Sequence, residues 1–278
     1  LSDDIATLLA KKFIARQDVK AVQRSDGAWN PHTTDGRKDS PRKKWTMGDL
    51  RAHVAGEQTF GHYMLSTDSK CKLMAFDIDL EKNNPANDPE FVGTWVDDAG
   101  QLHAFDAREA WLDRRHPARS YLKIQLMTMA HALASTIRTE LDIPVAAAYS
   151  GGKGVHVYGF TGPIDAADVR EGARIVLELF ERDLEPTRGE NFYRTTNRNE
   201  DLFDGLRNLT IEVFPKQDTL DGKDLGNLMR LPLGKNLKNP NDPTFFIDLN
   251  GDWTMMPRLD AVTALTQDWR PQAVSQNA

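Results

Sequence analysis

Leu73-Met74-Ala75-Phe76-Asp77-Ile78-Asp79-Leu80 alternates with a period of two, the pattern of a half-buried β-strand. Met74, Phe76, Ile78 and Leu80 fall on one face. Asp77 and Asp79 share the other, their Cα atoms roughly 7 Å apart. Downstream, Leu122, Leu126, Met129, Leu133, Ile137 and Leu141 recur at steps of three or four and predict an amphipathic helix. Pro144 precedes a short strand, Val145 to Tyr149. Ser150-Gly151-Gly152-Lys153-Gly154 reads as a turn, and Val155 to Phe160 returns as the second strand of a hairpin. Asp165 caps a helix with Val169, Ala173, Val176, Leu179 and Phe180 on its apolar side. Leu209 to Phe214 alternates again, and Pro215 ends it. The order strand, helix, strand, strand, helix, strand predicts an α+β fold with an RRM-like or ferredoxin-like βαββαβ sheet.

In that topology the first strand is central, between the third and fourth, and both helices cover one face. The apolar positions of all three strands suit the covered face. The opposite, open face is then expected to gather Asp77, Asp79, His156, Tyr158, Glu212 and Phe214. Three carboxylates without counter-charge would repel and raise one another's pKa. Divalent cations remove that penalty, oxygen donors favour Mg²⁺ or Mn²⁺, and a pair of such ions suits phosphoryl transfer.

The turn at the end of the same sheet carries complementary chemistry. Gly151 and Gly152 let backbone amides approach an anion, Ser150 offers a hydroxyl and Lys153 a charge. It is not a P-loop, because the spacing differs and a hairpin flanks it. His156, two residues beyond Gly154, is placed to meet a phosphate. Lys216 follows the last strand. The stretch Gly226-Asn227-Leu228-Met229-Arg230-Leu231-Pro232-Leu233-Gly234-Lys235 adds two more cations, with Arg230 the bidentate candidate for a triphosphate.

The 278 residues are 40% hydrophobic and 27% charged, ordinary globular usage that argues against wholesale disorder. The net charge of −6 excludes a uniformly basic coat, so nucleic acid must be met by local patches. Two such patches are Arg37, Lys38, Arg42, Lys43 and Lys44, and Arg114, Arg115 and Arg119, both candidates for holding a template strand. Cys71 is the single cysteine, which excludes an internal disulfide and any zinc site needing two or more thiolates and fits a reducing, cytoplasmic setting. No apolar run is long enough to span a membrane, and Ile5–Leu9 runs into Lys11 and Lys12 without forming a secretory leader. The missing initiator Met points to a piece of a longer chain. The whole of 1–278 reads as one catalytic domain. Its N-terminal α/β part spans 1–70 and opens with a helix at Ser2-Asp3-Asp4; the core spans 71–250 with an insertion at 81–120; a C-terminal extension covers 251–278.

Phe76-Asp77-Ile78-Asp79, Ser150-Gly-Gly-Lys-Gly-Val-His156, Ile211-Glu212-Val213-Phe-Pro-Lys-Gln217 and Asn227-Leu-Met-Arg230-Leu-Pro-Leu-Gly-Lys235 together resemble the archaeo-eukaryotic primase superfamily. The nearest resemblance is to primase-polymerases of phages, plasmids and related conflict systems, and it covers about residues 70–240. It implies that Asp77, Asp79 and a third acid bind two divalent metals, Mg²⁺ or Mn²⁺; Asp218 and Asp221 compete for the third place but fall in the loop after Pro215, and alternation favours Glu212. It also implies that Ser150, Lys153 and His156 contact the incoming triphosphate, with Gly151, Gly152, Lys216, Asn227, Arg230 and Lys235 around it. The implied activity is that of a DNA-dependent primase-polymerase: nucleotidyl transfer from nucleoside triphosphates on a single-stranded DNA template, onto a primer or from the first nucleotide. If the chain is phage-encoded, that work is done in the host cytoplasm. A helicase, fused or separate, is a common neighbour of such proteins. Two departures stand out: no zinc-binding element is expected, and little chain follows the core to support starting a primer rather than extending one. Ribonucleotide or deoxyribonucleotide preference stays open.

Two other functions use similar residues. A non-catalytic RNA-recognition sheet would need aromatics where Val155 and Val157 stand. A metal-dependent nuclease explains the acids but not a triphosphate pocket built from Ser150, Lys153 and Arg230.

Overall fold

A computed structural model describes residues 2–37, 40–80, 93–96, 99–105, 107–196 and 209–271. The chain opens with α1 (Ser2–Phe13), β1 (Ala21–Gln23), β2 (Trp29–Pro31), α2 (Met47–Val54) and β3 (Phe60–Tyr63). Next come β4 (Lys70–Leu80), β5 (Gly93–Val96), β6 (Leu102–Phe105), α3 (Ala107–Leu112), α4 (Ala118–Leu141), β7 (Val145–Tyr149), β8 (Gly154–Asp165) and α5 (Ala166–Glu178). The rest is β9 (Leu184–Pro186), β10 (Phe192–Thr195), β11 (Leu209–Phe214), β12 (Leu228–Arg230), β13 (Phe245–Ile247), β14 (Arg258–Leu259) and α6 (Ala261–Thr266). No helix among the described residues is long and apolar enough to cross a membrane.

The fold is mixed α+β, built on antiparallel sheets. Eight strands form the larger sheet in the order β14-β13-β7-β8-β4-β11-β10-β9, and four form a smaller one in the order β12-β3-β1-β2. Strand β4 therefore lies between β8 and β11. Its apolar side faces α4 and α5, where Met74 meets Gly172 of α5 and Leu141 of α4 comes close. Phe76, Ile78, Val155, Val157, Leu209 and Ile211 are all buried in the same core, as the alternation requires.

The structure departs from the sequence reading in two respects, and part of that reading falls outside the described residues. The six-element string is interrupted: β5, β6 and α3 stand between β4 and α4, and β9 and β10 precede β11 and extend the sheet beyond it. The residues read as an insertion lie partly outside the described residues (81–92, 97–98 and 106), as does Lys38 of the first basic run. Most important, the face opposite α4 and α5 is not open throughout. Phe13 of α1 packs edge-on against Tyr158 at 5.0 Å and Phe160 at 5.4 Å, and Tyr158 is fully buried. Two aromatic side chains on the outward side of β8 expose too much apolar area to stay wet, and α1 covers them. The acidic end of the face stays accessible.

The smaller sheet is tied to its surroundings by buried polar groups. Thr46 and Asp49 form a capping box at the start of α2, and the Asp49 carboxylate also accepts from Lys20 Nζ at 2.7 Å, a lysine only 1% exposed. His53 of α2 is fully buried. Its Nδ1 accepts from the Phe60 amide, and its Nε2–H donates to the Pro232 carbonyl, each at 3.0 Å. It thus staples α2 to β3 and to the chain leaving β12.

Burial pulls the His53 pKa down to about 4 from 6.5. The unfolded imidazole takes up a proton near its ordinary value and the folded one only near 4, so protonation opposes folding. The stabilisation is complete above pH 6.5 and is lost as pH falls toward 4, ~3 kcal/mol in all. Urea unfolding should give a lower midpoint at pH 4.5 than at pH 7, and a His53→Gln variant should show a shallower pH dependence. Equal dependence in both proteins would refute the assignment.

Candidate active site

Three adjacent strands place three chemistry-bearing side chains in one row. Asp77 of β4 is the direct register partner of His156 in β8 and of Glu212 in β11. Opposed residues of antiparallel strands share a face with Cβ atoms about 5 Å apart, so the row is imposed by pairing alone. Asp79 lies two residues along β4 on the same face, opposite Gly154 and Thr210. The carboxylates are partly exposed, 28% for Asp77, 39% for Asp79 and 28% for Glu212, so a solute can reach all three.

Each acid has a basic partner. His156 Nε2 is 3.2 Å from Asp77 Oδ1, Lys153 Nζ is 2.8 Å from Asp79 Oδ2, and Lys216 pairs with Glu212. Burial works against ionisation of Asp77, but His156, Arg230 and Lys153 outweigh it and hold its carboxyl below the usual range. Burial and then the charge of Asp77 push Asp79 the other way, with Lys153 only partly offsetting them. Two neighbouring carboxylates are thus driven apart in acidity, as expected of like charges sharing a site.

His156 is oriented from behind. Tyr158 Oη lies 3.0 Å from His156 Nδ1, and burial raises the Tyr158 pKa and keeps it a phenol. Its O–H donates to Nδ1, which leaves Nε2–H to donate to Asp77. Gly154 is demanded by the same cluster. A Cβ there would collide with the Asp79 carboxylate and come within 2.6 Å of the Ile78 carbonyl. Gly151 has φ +66°, a left-handed conformation that glycine adopts without penalty.

These groups line a cavity of about 580 Å³ between the two sheets. Asp77, Asp79, Glu212, Ser150, Gly152, Lys153, His156, Lys216, Asn227 and Arg230 all contribute to its wall. Arg230 arrives from β12 in the other sheet, where it is the register partner of Gly61, and donates to the Ser150 carbonyl. The Asn227 side chain accepts from the Lys216 amide at 2.7 Å and so holds the chain that carries that lysine. Lys235 is not part of the wall. It is exposed, and its carbonyl accepts from Thr59 Oγ1. Gly151 stands behind the wall, its carbonyl bonded to Asn236. Of the basic runs, Arg42 is paired with Asp224, and Arg119 stacks on the Trp111 ring at 5.1 Å; Arg114 and Arg115 do not line the cavity.

The sequence reading missed the opposite wall, made by Gln23, Trp29, Leu228, Asn236, Lys238 and Asn239. Strands β1, β2 and β12 are three residues each, too short for alternation to register. The one available signal was Asn236-Leu237-Lys238-Asn239, a polar turn directly after Lys235.

Among the described residues no three acidic, histidine or cysteine side chains are drawn together around one point that would hold an ion. The donor set nevertheless suits one. Its oxygens are carboxylate, they open on one cavity, and two of their partners are lysines on flexible stems. Hard divalent cations such as Mg²⁺ or Mn²⁺ favour such ligands.

A family model described as the archaeo-eukaryotic primase domain of TOTE conflict systems matches residues 5–273. The chain belongs to this family. No individually curated protein matches it. The match takes in both sheets and the C-terminal strands as well as the stretch about 70–240 that carries the motifs. Archaeo-eukaryotic primase domains are primase-like nucleotidyltransferases, and their substrates are nucleotides and nucleic acid.

Gly154→Ala should destabilise the protein by about 1–3 kcal/mol, because the Asp79 carboxylate and the β4 backbone cannot both withdraw. Gly48→Ala in α2, where a Cβ meets only Thr46 Oγ1 at 3.5 Å, is the control and should be unchanged or slightly more stable. Urea midpoints of the two variants decide it; equal midpoints would show that the β4–β8 contact is looser than described.

Proposed function

We propose that this chain is a template-directed primase-polymerase of a TOTE conflict system, joining a nucleotide to a primer 3′-hydroxyl. On this reading β4, α4, β7, β8, α5 and β11 are the ferredoxin-like catalytic core, and the N-terminal sheet forms the second wall of its cleft. The observation that carries the proposal is the shared cavity. Acids from two paired strands, β4 and β11, share it with Ser150, Lys153 and His156 from the β7–β8 hairpin and Arg230 from the other sheet.

Asp77, Asp79 and Glu212 would hold two divalent cations, which when bound supply a lowered pKa at the attacking hydroxyl and charge stabilisation at the leaving oxygens. The chain's own residues bind and orient the nucleotide. Arg230 offers a planar fork of donors to the phosphates, and its bond to the Ser150 carbonyl fixes that fork against the turn. Lys153 and Lys216, freed from their carboxylates, have the reach to follow the phosphates. His156 presents an N–H whose direction Tyr158 has already set. In the reaction the 3′-oxygen bonds to the α-phosphorus, the α–β phosphoanhydride bond breaks, and pyrophosphate departs. Template is expected along the mouth of the cleft.

Extension of a labelled primer–template with Mg²⁺ or Mn²⁺ tests this reading. Asp77→Ala should lower incorporation by on the order of 10³-fold while the far-UV circular dichroism stays native, since the change removes a ligand and relieves repulsion on Asp79. The wild type should also bind free nucleoside triphosphate in a metal-dependent way, which neither a nuclease nor an RNA-recognition sheet requires. Synthesis retained by the Asp77 variant would overturn the assignment.

A further inference from the structure

The β7–β8 turn is held by its carbonyls. The Ser150 carbonyl accepts from Arg230, the Gly151 carbonyl from Asn236 Nδ2 at 2.8 Å, and the Gly152 carbonyl from Trp111 Nε1 at 2.6 Å. Tyr149 Oη is also 2.6 Å from the Gly152 carbonyl, but it lies 2.8 Å from Asp242 Oδ2 as well. A phenol has one proton to give, and a carboxylate is the stronger acceptor. Trp111 is therefore the dedicated donor to Gly152. The Ser150 amide bonds back to the Gly154 carbonyl at 3.0 Å, whereas among the described residues no acceptor meets the amides of Gly151, Gly152 and Lys153.

A trans peptide is planar, so its N–H points opposite to its C=O. Pinning the Gly151 carbonyl fixes the direction of the Gly152 amide, and pinning the Gly152 carbonyl fixes that of Lys153. Both residues line the cavity. We propose that Trp111 and Asn236 are positioning residues: by holding the Gly151 and Gly152 carbonyls they leave the Gly152 and Lys153 amides aimed for phosphate oxygens of the incoming nucleotide. This rests on the nucleotidyl-transfer reading above and adds two residues, far apart in sequence, to its binding step. It also gives the segment before α4 a task. Trp111 is 6% exposed, with its indole against Tyr149 and the Arg119 guanidinium over its face, so the donor is held rigidly.

The test uses inorganic triphosphate with Mg²⁺, followed through the ¹⁵N amide signals of Gly152 and Lys153, alongside nucleotide KM and kcat in primer extension. Trp111→Phe keeps an aromatic ring for Arg119 and Tyr149 but removes the N–H. It should weaken triphosphate binding and raise KM about tenfold, the usual consequence of unpinning one buried carbonyl, with a much smaller change in kcat. Trp269→Phe is the control for a merely structural effect. It removes an equally buried indole bond, to Asn250 at 3.1 Å, and should leave both readouts unmoved. Asn236→Ala carries the same expectation from a separate segment and keeps the test alive if the Trp111 variant does not fold. Unchanged triphosphate affinity in both turn variants, with binding intact in the wild type, overturns this inference alone. Absence of binding by the wild type overturns the functional reading and this inference together.

Discussion

The register of β4 against its two neighbours is the constraint on which everything else rests. With Asp77 opposite both His156 and Glu212, three polar side chains stand in line across the sheet. Slipping either neighbour by one residue would turn that neighbour's member of the row toward α4 and α5 and bring apolar side chains into the cleft. The register is held by the opposite face. Met74, Phe76, Ile78, Ile211, Val155 and Val157 are buried, and each slip would expose several of them at about 1.5–3 kcal/mol apiece. Hydrophobic burial on one side therefore determines the electrostatics of the other. The chemistry-bearing row needs no strong interaction of its own to form.

What the row does need is neutralisation. Asp77, Asp79 and Glu212 crowd one end of the sheet, and the fold answers with His156, Lys153 and Lys216, one nitrogen-bearing partner to each acid. The partners differ in kind. His156 is a short, buried ring fixed from behind by Tyr158, whereas the two lysines are partly exposed and anchored at strand ends. A buried partner on Asp77 and partly exposed ones on the other two acids neutralise the row while leaving two of the counter-charges at the cavity wall. On the proposed function, lysines displaced from carboxylates would lie beside a phosphate brought into the cavity, so the same residues would serve neutralisation of the resting site and binding of a polyanion.

Much of this was legible in the sequence, and the reason is alternation. β4 and β11 are long enough, and polar enough at the positions that matter, to declare both their existence and their faces, while β7 reads as a short apolar run between Pro144 and a glycine-rich turn; Val145–Tyr149 and Leu209–Phe214 match the predicted strands. The turn at Ser150–Gly154 announced itself by composition. The second wall did not. Strands of three residues carry no period, and nothing local indicates that β12 leaves the large sheet to pair with β3. Arg230 was legible as a cation near a turn, but its route into the cleft depends on that long-range pairing. Lys235, equally conspicuous in sequence, follows the tight passage Pro232–Gly234 under His53 and ends outside. Trp111 lay in a stretch that read as an insertion, because a hydrogen bond from an indole to a glycine carbonyl leaves no trace in hydrophobic pattern.

The covering of Tyr158 and Phe160 shows why the N-terminal part belongs with the core. An uncovered sheet face bearing two buried-size aromatics would be a liability in water, and α1 removes it by inserting Phe13 between them and His62 of the smaller sheet. The same contact buries the Tyr158 ring, and burial keeps its hydroxyl protonated and aimed at His156. Packing at one end of the face thus sets hydrogen-bond polarity at the other. A core taken without residues before β4 would lose α1, the partner strand of Arg230 and the burial of Tyr158 at once. The match of the family model from residue 5 onward agrees with that physical unity, since the motifs in β4, β8 and β11 make a site only when the first sixty residues close the cleft around them.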